Sequence, residues 1–196
     1  MEEKPVCASC SMPIESGDEH LIIKASKKKE RDTFLCAQCL AKVETALEEE
    51  TRNPNVLLAF VGGLGCAVVA GLIWYFFVTL TGWQVGIIAI LMGWLVGQGV
   101  VRGAGNKRGT ALRWISVLLT LVAIFFSEYL IFNHFFHEAG FAVNLPIDAF
   151  LEAYGAYLSE GGGFLDIVFF VIALWQAYAT PGPKKLEGEV VNRAIA

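Results

Sequence analysis

VLLAFVGGLGCAVVAGLIWYFFVTL, residues 56–80, decides the architecture: 25 consecutive residues without a charge. A hydrocarbon core of about 30 Å needs about 20 apolar residues in a helix, so this stretch reads as a transmembrane helix. Working outward, three more apolar stretches follow. Trp83–Val101 is uncharged, Leu112–Phe132 contains Arg113 and Glu128, and the shorter Phe164–Tyr178 contains Asp166. With flanking residues the four helices are expected at about 56–80, 83–101, 112–134 and 161–180. Pro181-Gly-Pro183 ends the last one, because proline cannot continue a helix.

The residues before Val56 are of another kind. Residues 1–55 hold 8 Lys/Arg and 11 Asp/Glu, against 7 and 8 in the remaining 141. With 55% hydrophobic and 17% charged residues overall, the chain departs from soluble domains, which run about 45–50% and 25%. The expected fold is therefore an all-α membrane protein: a four-helix transmembrane bundle preceded by a small α+β zinc domain. Domain boundaries fall at 1–52 for the head, 53–181 for the helices and 182–196 for a tail. No apolar h-region precedes Val56, so no secretory signal is expected.

Four of the five cysteines form two pairs, Cys7-Ala-Ser-Cys10 and Cys36-Ala-Gln-Cys39. Two thiolates two residues apart can grip one ion from a tight turn, and a second pair closes a tetrahedron. The pattern calls for structural zinc (Zn2+) on Cys7, Cys10, Cys36 and Cys39. A thioredoxin-type redox pair is the rival, but it needs a βαβ context that the sequence lacks. Four thiolates leave no position for a catalytic water. His20 is an alternative ligand. Between the pairs, His20–Ala25 and Arg31–Leu35 are short β-like runs around the charged tip 26–30. After the second pair, Leu40, Val43 and Leu47 have helical spacing. Knuckle, hairpin and knuckle-on-helix make a treble-clef-like order, which resembles zinc-ribbon, LIM and B-box-type modules. Cys66, inside the first apolar run, reads as a small packing residue.

Loop charge sets the expected orientation. The loop around residues 102–113 carries Arg102, Lys107, Arg108 and Arg113 and no acid. Residues 133–163 carry Glu138, Asp148, Glu152 and Glu160 and no Lys or Arg. The second loop, 102–113, and both termini are thus expected in the cytoplasm, and the third loop, 133–163, outside. Residues 146–158 read as an amphipathic helix that lies on the outer surface or covers the mouth of the bundle. Ala59, Gly63, Ala67 and Gly71, and likewise Ala89, Gly93 and Gly97, recur every four residues. Such small-residue stripes let helices approach closely, either stripe to stripe or against the other two helices.

An ionisable residue inside a membrane helix is a functional candidate. Glu128 and Asp166 fall at similar depth, with His134 and His137 one to two turns beyond Glu128. The four could form a proton relay or outward metal site. The plainer reading is interfacial solvation and hydrogen bonding between helices. Arg102, Lys107, Arg108 and Arg113, among the glycines of 97–109, suit a phosphate such as an anionic lipid head group; the plainer reading is a topology anchor. Gly97 to Gly109, together with the four cysteines, resembles a group of bacterial membrane proteins with a zinc-ribbon head and a Gly-rich basic loop between helices. The resemblance implies residence in a bacterial inner membrane and brings no activity with it.

The head's net charge of 8 minus 11 and the absence of an aromatic platform argue against nucleic acid. The expected function is a non-enzymatic adaptor or regulator whose cytoplasmic zinc module binds a partner protein; a homo-oligomer is compatible with it. The alternative is a small proton- or ion-coupled transporter using Glu128 and Asp166. A lipid-modifying enzyme finds no nucleophile–base pair in the sequence.

Overall fold

In the computed structural model, described for residues 6–14, 20–23, 33–83, 86–159, 164–184 and 189–191, the chain forms two compact units. One comprises Met1–Arg52 with Lys184–Ala196, the other Asn53–Pro183.

The first unit is a small sheet beside a helix. Strand β1 (His20–Ile23) pairs antiparallel with β2 (Thr33–Cys36), with Leu21 opposite Leu35 and Ile22 opposite Phe34. The charged tip 26–30 lies outside the described residues. Helix α1 (Ala37–Thr51) starts directly after β2, with Cys36 as its N-cap. The far end of the chain supplies the third strand. β3 (Glu189–Val191) pairs antiparallel with β1, giving the order β2-β1-β3. The expected tail of 182–196 thus includes a strand of the head's sheet. Three residues carry no periodicity by which to recognise such a strand, and its partner is about 170 positions away. Lys184 reaches Glu50 at 3.4 Å within the same unit.

The second unit contains α2 (Val56–Thr81), α3 (Ile87–Gly103), α4 (Thr110–Glu138), α5 (Ile147–Ser159) and α6 (Phe164–Ala179). Asn55 caps α2 by accepting from the Leu58 N–H at 3.1 Å, satisfying one of the first turn's free donors. Gly82 ends it at φ 68°, a left-handed conformation that suits glycine. α2 and α4 are long and apolar enough to cross a membrane. α3 starts at Ile87 rather than near Trp83 and runs on to Gly103. α4 outlasts its apolar stretch, continuing through His134 to Glu138. Hydropathy marks what a helix buries, whereas the helix ends where its backbone turns, here at Gly140 with φ 97°.

α3 packs against α2, α4 and α6, and α4 packs against α2 and α6. The small-residue stripes lie in these seams. A Cβ on Gly63 would strike Val100 and Leu119, and one on Gly71 would meet Ala123 of α4. The stripe of α3 faces α6: Gly93 sits against the Ala173 carbonyl and Gly97 against Thr180. α2 meets α3 through a different set. Gly62 lies against the Gly99 carbonyl, Cys66 against Gly99, and Gly103 against the Leu58 carbonyl. Cys66 is half-buried in this seam.

The outward faces are as apolar as the inward ones. Leu57 is 73% exposed, Ile73 53% and Leu80 82%. On α4, Trp114, Leu118 and Val122 are exposed while Ser116, Thr120 and Ser127 are buried. Thr120 and Ser127 return their hydroxyls to backbone carbonyls of their own helix, Ser116 O at 2.8 Å and Ile124 O at 2.8 Å, so those hydroxyls stay hydrogen-bonded away from water.

Candidate metal centre and interhelical polar site

The Sγ atoms of Cys7, Cys10, Cys36 and Cys39 all lie within 4.8 Å of one another. Cys10 and Cys36 are 3.7 Å apart. A tetrahedral zinc with bonds of about 2.3 Å holds its sulfurs about 3.8 Å apart, so the four side chains fit the ion. None is in a disulfide.

The local backbone explains the convergence. The first knuckle folds back on itself, with Cys7 N–H donating to Met12 O and Ser11 N–H to Cys7 O, both at 2.9 Å. Ser11 takes the left-handed φ of 59° that closes the turn. Ala8 N–H donates to Phe34 O at 2.9 Å, which fastens this knuckle to β2. Cys36 then ends β2, and Cys39 lies in the first turn of α1. The Cys36 N–H donates to Cys7 Sγ at 3.4 Å. Cys7, Ile14 and Cys39 are buried against Phe34 and Leu35.

The thiols are electrostatically unequal. Burial opposes ionisation of Cys7, but backbone N–H donors at Cys36, Cys10 and Ser9 outweigh it and bring the thiol down to about 6. At Cys10 the Met12 backbone favours the thiolate. The neighbouring Cys7 sulfur, burial, and the Cys36 and Cys39 sulfurs together outweigh that and push it up to about 11. Sulfurs this close cannot all carry negative charge without a cation among them. The side chain of His20 lies outside the described residues.

In the helical unit, Glu128 accepts a hydrogen bond from the Trp74 indole N–H at 3.1 Å. Both line a cavity of about 430 Å3 whose walls come from all five helices, α2 to α6. Asp166 lies in the first turn of α6, and its side chain lies outside the described residues. His134 turns to α2 and along its own helix, with Tyr75 Oη 3.5 Å from Nδ1 and Glu138 Oε1 3.6 Å from Nε2. His137 serves the following loop: Nδ1 is 2.8 Å from Phe141 O and Nε2 is 2.9 Å from Asn144 Oδ1. Among the described residues, Glu128, His134 and His137 do not gather into a group able to hold an ion.

Trp74 is absent from the sequence reading of this site, although a signal for it existed. It stands 18 residues after Val56, the start of α2, as Glu128 stands 18 after Thr110, the start of α4. Helices separated by one hairpin helix run in the same direction, so equal offsets give similar depths. Tyr154 and Tyr157, also in the cavity wall, come from α5. That helix packs on α4 through Phe150, which is 1% exposed and touches the rings of Tyr129 and Phe132 edge-on.

Two of the four basic residues near the Gly-rich loop hold the end of α6. Arg108 donates to Thr180 O at 2.7 Å and Gly182 O at 3.3 Å. Arg113 donates to Tyr178 Oη at 3.3 Å, with its guanidinium 4.7 Å from that ring's centre. The last carbonyls of a helix favour such cationic donors. Arg102 is exposed in the last turn of α3, and Lys107 is half-buried in the loop. The glycines at 97, 99 and 103 lie within α3 and are occupied by helix packing. No protein-family model, curated protein or solved structure matches the chain.

Proposed function

We propose that the chain is an integral membrane protein whose treble-clef-like head binds structural zinc on Cys7, Cys10, Cys36 and Cys39 and presents a surface to a partner protein in the cytoplasm. The observation that carries this reading is the convergence of four thiols within 4.8 Å. The head's small buried cluster adds the reason for a metal, since so few residues bury little apolar surface and ion binding contributes folding energy directly.

The membrane part of the reading rests on the exposed apolar faces of α2 and α4. Soluble proteins rarely expose contiguous apolar patches of that kind. The pairing of β3 with β1 supports an even number of crossings, because the chain leaves the first unit at Arg52 and returns to it at Lys184. Four crossings use α2, α3, α4 and α6. The 17 and 16 residues of α3 and α6 span only about 24–26 Å at 1.5 Å each, a mismatch that local thinning and flanking residues accommodate. Loop charge favours a cytoplasmic head, and the resemblance to zinc-ribbon membrane proteins favours a bacterial inner membrane. The second reading, a small proton- or ion-coupled transporter, has in its favour the cavity beside Glu128.

Two measurements test the proposal. Purified protein should carry one zinc per chain, lost in Cys36→Ser/Cys39→Ser together with any co-purifying cytoplasmic protein. A cysteine introduced at Glu152 should react with an impermeant maleimide only from outside. A metal-free wild type would overturn the zinc assignment, and labelling from the cytoplasmic side alone would overturn the orientation.

A further inference from the structure

Three polar side chains, four residues apart near the end of α4, reach the same loop. Tyr129 Oη donates to the Leu145 carbonyl at 3.1 Å. Asn133, 7% exposed, accepts the Leu145 N–H on Oδ1 at 2.7 Å and donates its own amide to Tyr129 O at 2.8 Å. His137 spans the loop, with Nδ1 2.8 Å from the Phe141 carbonyl and Nε2 2.9 Å from Asn144 Oδ1. The Phe141 ring stacks on Phe136, centres 4.1 Å apart. Residues four apart share a helix face, so Tyr129, Asn133 and His137 make one gripping edge. The loop they hold leads directly into α5, where the Phe150 N–H donates to Pro146 O at 2.9 Å. α5 rests on α4 through the Phe150 ring and supplies Tyr154 and Tyr157 to the cavity wall.

The three grips differ in their dependence on a proton. A tyrosine hydroxyl and an asparagine amide match their partners at any ordinary pH. His137 has an oxygen against each ring nitrogen. Neutral imidazole carries one N–H and can donate to only one of them, whereas the imidazolium donates to both. A backbone carbonyl cannot become a donor, so the remaining N–H stays on Phe141 O and deprotonation falls on Nε2. There the Asn144 oxygen meets a lone pair, and the contact survives only if the amide turns over. His137 is exposed, five residues beyond Phe132, where the apolar stretch ends. The Asn144 hydrogen bond, then the Phe141 carbonyl, raise its pKa above the ordinary histidine value, with burial opposing. No carboxylate is among the causes. Residues 139–146 contain no ionisable side chain. On the neighbouring elements, Glu138 pairs with His134, His134 faces Tyr75 of α2, and Asp148 lies in the first turn of α5.

We propose that His137 is a proton-dependent clasp on the α4–α5 loop: its imidazolium holds Phe141 and Asn144 against the end of α4, and deprotonation releases Asn144 and loosens the entry to α5. Because the folded pKa is raised, the clasp is fully closed below the ordinary value of about 6.5 and is lost as pH rises through the folded value. Tyr129 and Asn133 still hold Leu145 above that pH, so the loop loosens without leaving α4. The clasp belongs to the helical unit alone. It depends neither on zinc in the head nor on what the cavity beside Glu128 does.

The test is hydrogen exchange of the full chain in detergent micelles, read by mass spectrometry across residues 139–150. Rates are expressed as protection relative to the unfolded chain at each pH, which removes the base catalysis of exchange itself. The bonded reporters are the amides of Phe141, donating to Phe136 O, and Leu145, donating to Asn133 Oδ1. Wild type should lose protection about three- to tenfold between pH 5.5 and 8.5. His137→Gln cannot take up a proton and should show the lower protection at both ends. His137→Arg carries a permanent charge and several donors, and should abolish the pH dependence while keeping the higher protection. His134→Gln should titrate like wild type. A pH-independent wild type, a pH dependence that persists in His137→Gln, or one that disappears in His134→Gln would each overturn the proposal. So would a His137 imidazole that titrates, by 15N resonance, at or below about 6.5.

Discussion

The Trp74 indole donates to the Glu128 carboxylate across 3.1 Å, joining the second half of α2 to the second half of α4. Hydrogen bonds between helices in lipid contribute modestly, about 0.6 kcal/mol on average, and those to charged groups more. A double-mutant cycle of Trp74→Phe and Glu128→Gln should therefore give a coupling energy of about 1 kcal/mol, read from reversible unfolding in mixed micelles. Additive effects would show that the contact contributes nothing to stability.

The glycine seams can be tested by contrast. A side chain on Gly93 runs into the Ala173 carbonyl and one on Gly103 into the Leu58 carbonyl, while Gly65 has nothing within 4 Å. Overpacking costs about 1–3 kcal/mol where neighbours can yield, and backbone yields least. Gly93→Val and Gly103→Val should lower the unfolding temperature of the helical unit clearly, and Gly65→Val should leave it nearly unchanged.

Zinc and fold should be lost together in the head and nowhere else. In Cys36→Ser/Cys39→Ser, limited proteolysis should cut within residues 1–52. The helical content of α2 to α6 should persist, because those helices form a separate compact unit.

Metal binding should release protons. Cys10 stays protonated up to about 11 without metal, yet it must bind as thiolate. Each proton displaced steepens the apparent affinity by about tenfold per pH unit. Zinc affinity should therefore rise at least about 100-fold between pH 6 and 8, from Cys10 alone. Below about 6 the Cys7 thiol adds its own proton to the competition. Competition with a chelator of known proton affinity measures the slope, and a flat profile would contradict the ligand assignment of Cys10.

Breaking β3 should loosen the head. Val190 pairs with Leu21, and Val190→Pro removes a backbone donor and fixes φ, leaving β1 as an edge. Amide exchange across His20–Ile23 should accelerate, with α2 and α4 unchanged. Unchanged exchange in β1 would show that the third strand is dispensable.

The long apolar runs were legible in the sequence because a helix interior depends on the composition of one segment: α2 and α4 follow from apolar residues in number. The cysteine pairs were legible because each half of the site is local, a turn of four residues. Which groups meet was settled by tertiary structure. Trp74 lies 54 positions from Glu128, and Arg108 lies 72 from the Thr180 carbonyl it holds; neither pairing leaves a periodic mark in the chain. The sequence likewise identified Gly93 and Gly97 as small packing residues without saying that they face α6, and it read Gly99 and Gly103 as part of the Gly-rich loop, whereas they lie in α3 and face α2. His134 and His137, three residues apart on one helix, went to different partners because Tyr75 stood beside one and the returning loop beside the other. Segment composition fixes what each element must bury. Which residue lies opposite which depends on close packing among all the elements at once, and that placed β3 beside β1 and the Trp74 donor on Glu128.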